Sequence, residues 1–408
     1  MNLEDNLRDR LESASTPPSR VDVEMLVIAG RRRAFRRRAA ETAGGVALVT
    51  AVLLAVPWVL NTANKDPVAP LVAGAGKSES PTPAVSGTPL APAAPASAPT
   101  TPLSRSGDCV MEKLAVPEGT GDVSAAAVDP TGRFIVGNGS VGQDFRGVLW
   151  SDGKPHALPL AGESVQATDV NSSGVVVGLV SEGAESYAFR YQDGRLTRLR
   201  TPKGDWHVYP EPAINASGDI VLNAEPRGNT GGRDSIVLLW KAGGTTATRL
   251  PLPAGANASD IGDDGTLVGA MYVDGSAVDA YSWDQKGEGR KLERPDGAEG
   301  AAAYAVSGEW ATGGVWTGGN GRAAVWSLRT GALAYPKLTE VGAAVNSAGL
   351  AVGLDGAVAR GGAALALDAP KGEVAIARDV SDTGLVVGLA MSDDKQDTAN
   401  LGPRAWRC

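Results

Sequence analysis

The chain has 408 residues, with 53 Gly but only 4 Phe and 5% aromatics, a composition that excludes a bulky-cored helical enzyme and suits turn-rich β-structure. Its net charge of −8 is uneven: residues 1–40 carry nine Arg against six Asp or Glu (+3), residues 41–106 sum to zero, and residues 107–408 carry 26 Lys or Arg against 37 Asp or Glu (−11). So acidic a C-terminal region excludes nucleic acid as its partner, because phosphate contact needs a basic face. The two histidines, His156 and His207, are too few for a multi-histidine metal site, and no metal or cofactor is expected.

Residues 1–40 form a basic tail. Leu3, Leu7 and Leu11 share one face of a short amphipathic helix, and six arginines lie between Arg31 and Arg38. The uncharged run from Ala43 to Leu60 follows. At about 1.5 Å per residue its length comes to about 27 Å, close to a hydrocarbon core of about 30 Å. Residues 41–61 are therefore expected to be a single transmembrane helix with the N-terminus in the cytoplasm, where arginines accumulate. A cleaved signal peptide is the competing reading, and the 40 residues ahead of the apolar run count against it. The tail resembles those that precede the anchor in actinobacterial envelope proteins, including regulators of sigma factors, but lacks the His-x3-Cys-x2-Cys pattern of the zinc-containing kind.

Residues 62–106 hold nine prolines, Pro67 to Pro102, among Ala, Ser, Thr and Gly. Such a segment buries too little apolar surface to fold and favours extended polyproline II. It is expected to be a disordered stalk reaching on the order of 130 Å when fully extended.

Residues 107–408 are periodic. A hydrophobic residue, a polar three-residue turn and Gly recur, as in Val128-Asp-Pro-Thr-Gly132, Val170-Asn-Ser-Ser-Gly174, Ile214-Asn-Ala-Ser-Gly218, Ile261-Gly-Asp-Asp-Gly265, Val345-Asn-Ser-Ala-Gly349 and Val380-Ser-Asp-Thr-Gly384; Val306-Ser-Gly-Glu-Trp310 is a degenerate copy. An apolar strand such as Val175-Val-Val-Gly178 follows the turn. A third strand ends in Trp150, Tyr191, Trp240, Trp283, Trp326 or Trp406, except in the sixth copy near Val358–Arg360. A fourth carries a Leu ahead of Pro or Gly: Leu158, Leu199, Leu250, Leu292, Leu338 and Leu367. Successive copies lie 42, 44, 47, 45, 39 and 35 residues apart, the spacing of four-stranded propeller blades. The fold class expected is all-β, a seven-bladed β-propeller of four-stranded antiparallel blades.

The seventh copy stops at Cys408 without a fourth strand, whereas Val110–Gly119 matches the fourth-strand pattern ahead of the first copy. The N-terminal strand is thus expected to close the last blade. Aligning Leu114 on Leu199 and Trp406 on Tyr191 sets Cys109 and Cys408 on neighbouring positions of a hairpin turn, so a disulfide is expected there.

The unit Asp169-Val-Asn-Ser-Ser-Gly-Val-Val-Val-Gly178, with Tyr187-Ala-Phe189-Arg-Tyr191 and Asp193-Gly194 after it, resembles the HAF repeat of bacterial extracellular proteins. The resemblance covers residues 109–408. It implies a secreted or surface propeller and no particular activity.

No nucleophile elbow and no phosphate loop occur. The Asp-rich stretch Asp260-Ile-Gly-Asp263-Asp264-Gly265 lacks the alternating ligands of a calcium loop and reads as a repeat turn. Propeller geometry directs a ligand site to the face where the connections between strands two and three, and four and one, emerge. Trp206, His207, Tyr209, Arg227, Arg233 and Trp316 are the candidates there, as aromatic and basic groups suited to glycan or peptide contact. The expected function is a monomeric, non-catalytic binding module outside the cell membrane, facing a cell-wall glycan or an envelope protein. Alternatives are a propeller hydrolase or lyase acting on glycans, and a sensor signalling through the tail.

Overall fold

The repeat turn is built from side-chain chemistry. In the second copy Asn171 Oδ1 accepts the N–H groups of Ser173 (3.1 Å) and Val175 (3.0 Å), while Gly174 takes φ +75°. Its Nδ2 donates to the carbonyl of Asn215 in the next copy's turn at 3.1 Å. Asn215 repeats this toward Gly262 (3.2 Å), and Asn346 toward Ser381 (2.9 Å). One residue type therefore forms the turn and joins the copies.

The computed structural model describes residues 108–408 apart from 143, 160, 184, 230–233 and 395–398; the expected tail, membrane span and stalk, and residue 107, lie outside the described residues. Among the described residues there is no helix. The second copy forms an antiparallel sheet of Ser164–Val170, Val176–Glu182, Glu185–Gln192 and Arg195–Arg198 in sequence order, and the first, fourth and fifth copies do the same. In the fifth the outer strand is Leu333–Ala334, upstream of the expected Leu338. In the third copy the inner strand splits into Trp206–Val208 and Ala213–Ile214, both paired with Ile220–Pro226. Pro210 and Pro212 stand in the gap, without the N–H a continuous ladder requires.

Elsewhere the inner strand is bulged, at Ala167/Asp169 in the second copy and at equivalent places in the first, fourth, fifth, sixth and seventh. The bulge pushes a carbonyl onto the neighbouring strand. A Cβ at Gly178 would lie 1.8 Å from the Gln166 oxygen, and at Gly137, Gly269, Gly313 and Gly388 it would lie 1.9–2.0 Å from the equivalent oxygens. In these five copies the glycine closing the apolar run is thus required by close approach.

The third-strand tryptophans join neighbouring sheets. Trp240 Nε1 donates to Arg200 O at 3.0 Å, Trp326 to Glu293 O at 2.7 Å, Trp406 to Asp368 O at 2.8 Å and Trp150 to Ala115 O at 2.6 Å. All four side chains are buried. Each indole reaches the segment that leaves the preceding copy's outer strand.

The sixth and seventh copies share one eight-stranded sheet. The strand Asp108–Lys113 lies inside it, antiparallel to Asn400–Arg407 with Val110 opposite Arg407, and parallel to Ala363–Leu367. Leu114 N donates to Pro403 O at 3.3 Å, as Leu199 N does to Ala188 O at 2.8 Å in the second copy. The N-terminal strand therefore occupies the outer-strand place of the seventh copy. Cys109 and Cys408 are disulfide-bonded with Cα atoms 4.2 Å apart. They stand where Asp193 and Gly194, both at positive φ, turn the second copy's hairpin. Inner strands pack copy against copy, and Glu373–Val380 of the last packs on Gly121–Val128 of the first, giving a closed, propeller-like arrangement.

Candidate functional site

The sequence candidates divide on placement. Trp206 and His207 belong to the first half of the split inner strand of the third copy, Trp206–Val208, and Tyr209 follows directly in the gap before Ala213–Ile214. Trp206 is half-buried against the second and third copies' core, with its indole N–H enclosed and no acceptor for it among the described residues. His207 is exposed, opposite Glu225 in register and edge-on to Tyr209 at 6.4 Å. Burial, then the charge and hydrogen bond of Glu225 and the nearby Tyr272, push the Tyr209 phenol upward. Arg227 is exposed and donates to Asp205 at 2.8 Å. Arg233 lies outside the described residues.

The expected exposure of Trp316 is overturned. It is 0% exposed, inside the strand Trp310–Thr317, packed among Ala270, Ala277, Ala302 and Val341 with Tyr304 edge-on at 6.4 Å. Small side chains from neighbouring copies open a slot that only a large ring fills, so this tryptophan is core. The aromatic patch expected on the loop face is correspondingly reduced to His207 and parts of Trp206 and Tyr209.

At the centre stand three carboxylates that residue-by-residue scanning missed: Asp169, Asp260 and Asp379, each just before the repeat's Val or Ile. They belong to the second, fourth and seventh copies, which are not neighbours. Burial first, then the charges of Asp260 and Asp379, push the Asp169 carboxyl well above the usual carboxylate range, against the N–H groups of Ile214 and Val170. Each carboxylate has one oxygen accepting the following residue's N–H: Val170 (2.7 Å), Ile261 (2.8 Å) and Val380 (2.8 Å). The other oxygen accepts an N–H of the next copy: Ile214 (2.9 Å), Val306 (2.8 Å) and Val128 (2.8 Å). The second oxygen of each thus ties adjacent inner strands together. Among the described residues no three His, Cys, Asp or Glu side chains converge to hold a metal ion.

Two clefts open at consecutive seams on the opposite face, where the repeat turns emerge. The larger, about 370 Å³, lies between the third and fourth copies, and the smaller, about 170 Å³, between the second and third. Ser217 lines both. In the larger, Asp219 is 5% exposed and accepts Lys241 Nζ (2.5 Å), Gln285 Nε2 (3.2 Å) and Ala242 N (3.0 Å). Burial alone would raise its carboxyl; the donors Lys241, Ala242 and Gln285 outweigh that and hold it below the ordinary value. Lys241 Nζ also donates to Gln285 Oε1 at 3.0 Å, which fixes the wall of the cleft. On the rim, Asp263 Oδ1 accepts Ala216 N (2.8 Å) and Asp284 Oδ1 accepts Lys286 N (2.9 Å). Asp264 caps its own turn through Thr266, in keeping with a structural role for the Asp-rich stretch. The sequence does carry a signal for this cleft: Asp219 is the one carboxylate directly after the glycine that ends a repeat turn, where Val175, Leu350 and Leu385 are apolar and the first and fourth copies have Arg133 and Thr266.

No family model and no curated protein matches the chain. Among solved structures it is similar to TolB from Acinetobacter baumannii, at 13% identity over 70% of this chain and 63% of that one, with a TM-score of 0.39. It is similar to an oligogalacturonate lyase in complex with manganese, at 11% identity over 70% of this chain and 76% of that one, with a TM-score of 0.41. An oligogalacturonate lyase from Vibrio parahaemolyticus matches at 9% identity over 72% of this chain and 81% of that one, with a TM-score of 0.38. The chain thus spans less than two thirds of the TolB structure, and likenesses at this level carry no function across.

Proposed function

We propose that residues 107–408 are a seven-bladed β-propeller held outside the cell membrane by the span 41–61 and the stalk 62–106, acting as a non-catalytic binding module of the envelope. The observation that carries this reading is the pair of adjoining polar clefts at consecutive seams of the turn face. Seven blades are supported by the eight-stranded sheet, which divides into two four-stranded runs at the parallel pairing of Asp108–Cys109 with Ala366–Leu367. An extracytoplasmic setting is supported by the disulfide, which persists in oxidising compartments. Carboxylates meeting at the axis would suit acid–base catalysis, but these are committed to backbone N–H groups of two copies each. Binding is the better fit.

The test is sedimentation of the full-length chain with isolated bacterial cell walls. Saturable co-sedimentation, with no new soluble fragments by mass spectrometry, is expected. Release of wall fragments would sink the non-catalytic reading, and failure to sediment would sink wall binding.

A further inference from the structure

The two turn-face clefts differ from an ordinary ligand pocket in what lines them. The larger has no aromatic and no aliphatic residue larger than Thr266. Its wall is the fixed Asp219–Lys241–Gln285 network. Its rim offers Asp263 Oδ2 and Asp284 Oδ2, whose partner oxygens are occupied by backbone N–H groups while they themselves have no partner among the described residues. Lys286, exposed and without an ion pair among the described residues, adds a donor. Fixed acceptors and an exposed donor side by side on the fourth copy's rim match a group that both donates and accepts, which describes a sugar hydroxyl.

Charge narrows the class further. Asp219, Asp263, Asp264 and Asp284 against Lys241 and Lys286 leave the larger cleft at −2, which repels phosphate and uronate. The smaller cleft continues the surface with Ser173, Gln192 and Arg190, whose charge leaves the two clefts together at −1. Because Ser217 lines both, a chain lying across the third copy's turn would meet them in sequence.

We infer that the turn face binds a neutral oligosaccharide across the second to fourth copies, with one sugar subsite at each seam. The inference rests on the binding-module reading and adds to it the face and the chemical class of the ligand. Without an aromatic platform each subsite is weak, and linking two raises affinity through effective concentration.

The experiment is calorimetric titration of the full-length chain, kept in a zwitterionic detergent without sugar headgroups. The probes are maltohexaose, laminarihexaose, mannohexaose and their monosaccharides, with diacetyl-Lys-D-Ala-D-Ala as a peptide arm. At least one hexasaccharide is expected to bind 10-fold or more tightly than its monosaccharide. Lys286→Ala and Asp263→Asn should weaken it about 5- to 10-fold, and His207→Ala should leave it unchanged. Asp263→Asn keeps an oxygen for Ala216 N, and the Lys286 side chain is exposed, so both variants should retain the wild-type thermal midpoint. Hexasaccharide binding that ignores both substitutions overturns the placement on the turn face. Peptide binding without saccharide binding overturns the glycan class but leaves the binding-module reading standing. If neither probe class binds, both fail, and a cleaved hexasaccharide in the titration cell removes the non-catalytic reading.

Discussion

Asp169 loses by being charged, since burial and the carboxylates of Asp260 and Asp379 raise its folded-state value above that of the unfolded chain. A raised carboxyl stabilises the fold fully below the unfolded value of about 3.9, and that contribution is lost as pH rises through the folded value. In Asp169→Asn the titration disappears, while one of the bonds to Ile214 N and Val170 N is lost at every pH. The unfolding free energy of wild type minus variant should therefore be largest near pH 4 and shrink toward pH 7, measured by urea titration; a difference that grows with pH would contradict the assignment. The indole stitches are a simpler case. Trp240→Phe removes one of two donors to the Arg200 carbonyl, which keeps Ala247 N at 2.9 Å, and should cost about 1 kcal/mol, measured from the urea midpoint. The tryptophans were legible in the sequence as a repeating position, but their hydrogen bonds to the neighbouring copy were not. The cost at Asp169 was not legible at all, because it comes from residues 91 and 210 positions away that meet only at the axis.

Element by element, the sequence was most readable where side chain and backbone act locally. Asn171 and Gly174 announce their turn because the amide cap and the positive φ both lie within five residues. The bulges were hidden, since one extra residue leaves no pattern of its own. Their trace is the glycine across the strand pair, which looks like a turn residue and is in fact a steric gap. Gly178→Ala would set a methyl 1.8 Å from the Gln166 oxygen and should cost about 3 kcal/mol, whereas Gly362→Ala, with nothing within 4 Å, should be near neutral. Chemical denaturation of the two variants decides it: equal stabilities would mean that the bulge relaxes freely. Trp316 failed as a surface residue for a related reason. Its burial depends on Ala270, Ala277 and Ala302, small residues of three other strands, and no local window contains them. Trp206 and His207 were misplaced as loop because Pro210 and Pro212 break the strand pattern that would have marked them.

At the scale of the whole molecule, the missing fourth strand of the seventh copy and its surplus at residues 110–114 made ring closure legible, since a repeat count must balance. The cleft-bearing face was not legible: it depends on how third-copy and fourth-copy turns meet, and Asp219 alone hinted at it. Closure is secured twice, by the antiparallel pairing of Val110–Lys113 with Arg404–Arg407 and by the Cys109–Cys408 bridge. The bridge spans a sequence separation of 299, and in the chain-entropy model closing so long a loop contributes about 5 kcal/mol, acting through the unfolded chain. The pairing survives reduction, so the reduced protein should still fold, with the seam as its weakest point. The Cys109→Ser, Cys408→Ser double variant should lose about 5 kcal/mol in urea unfolding, and wild type in strong reductant should lose the same. Amide exchange should accelerate first at residues 110–113 and 404–407, while strands of the second copy keep their protection. Loss of protection throughout the ring at the same rate would mean that the domain unfolds only as a whole, and that the seam is no weaker than any other junction.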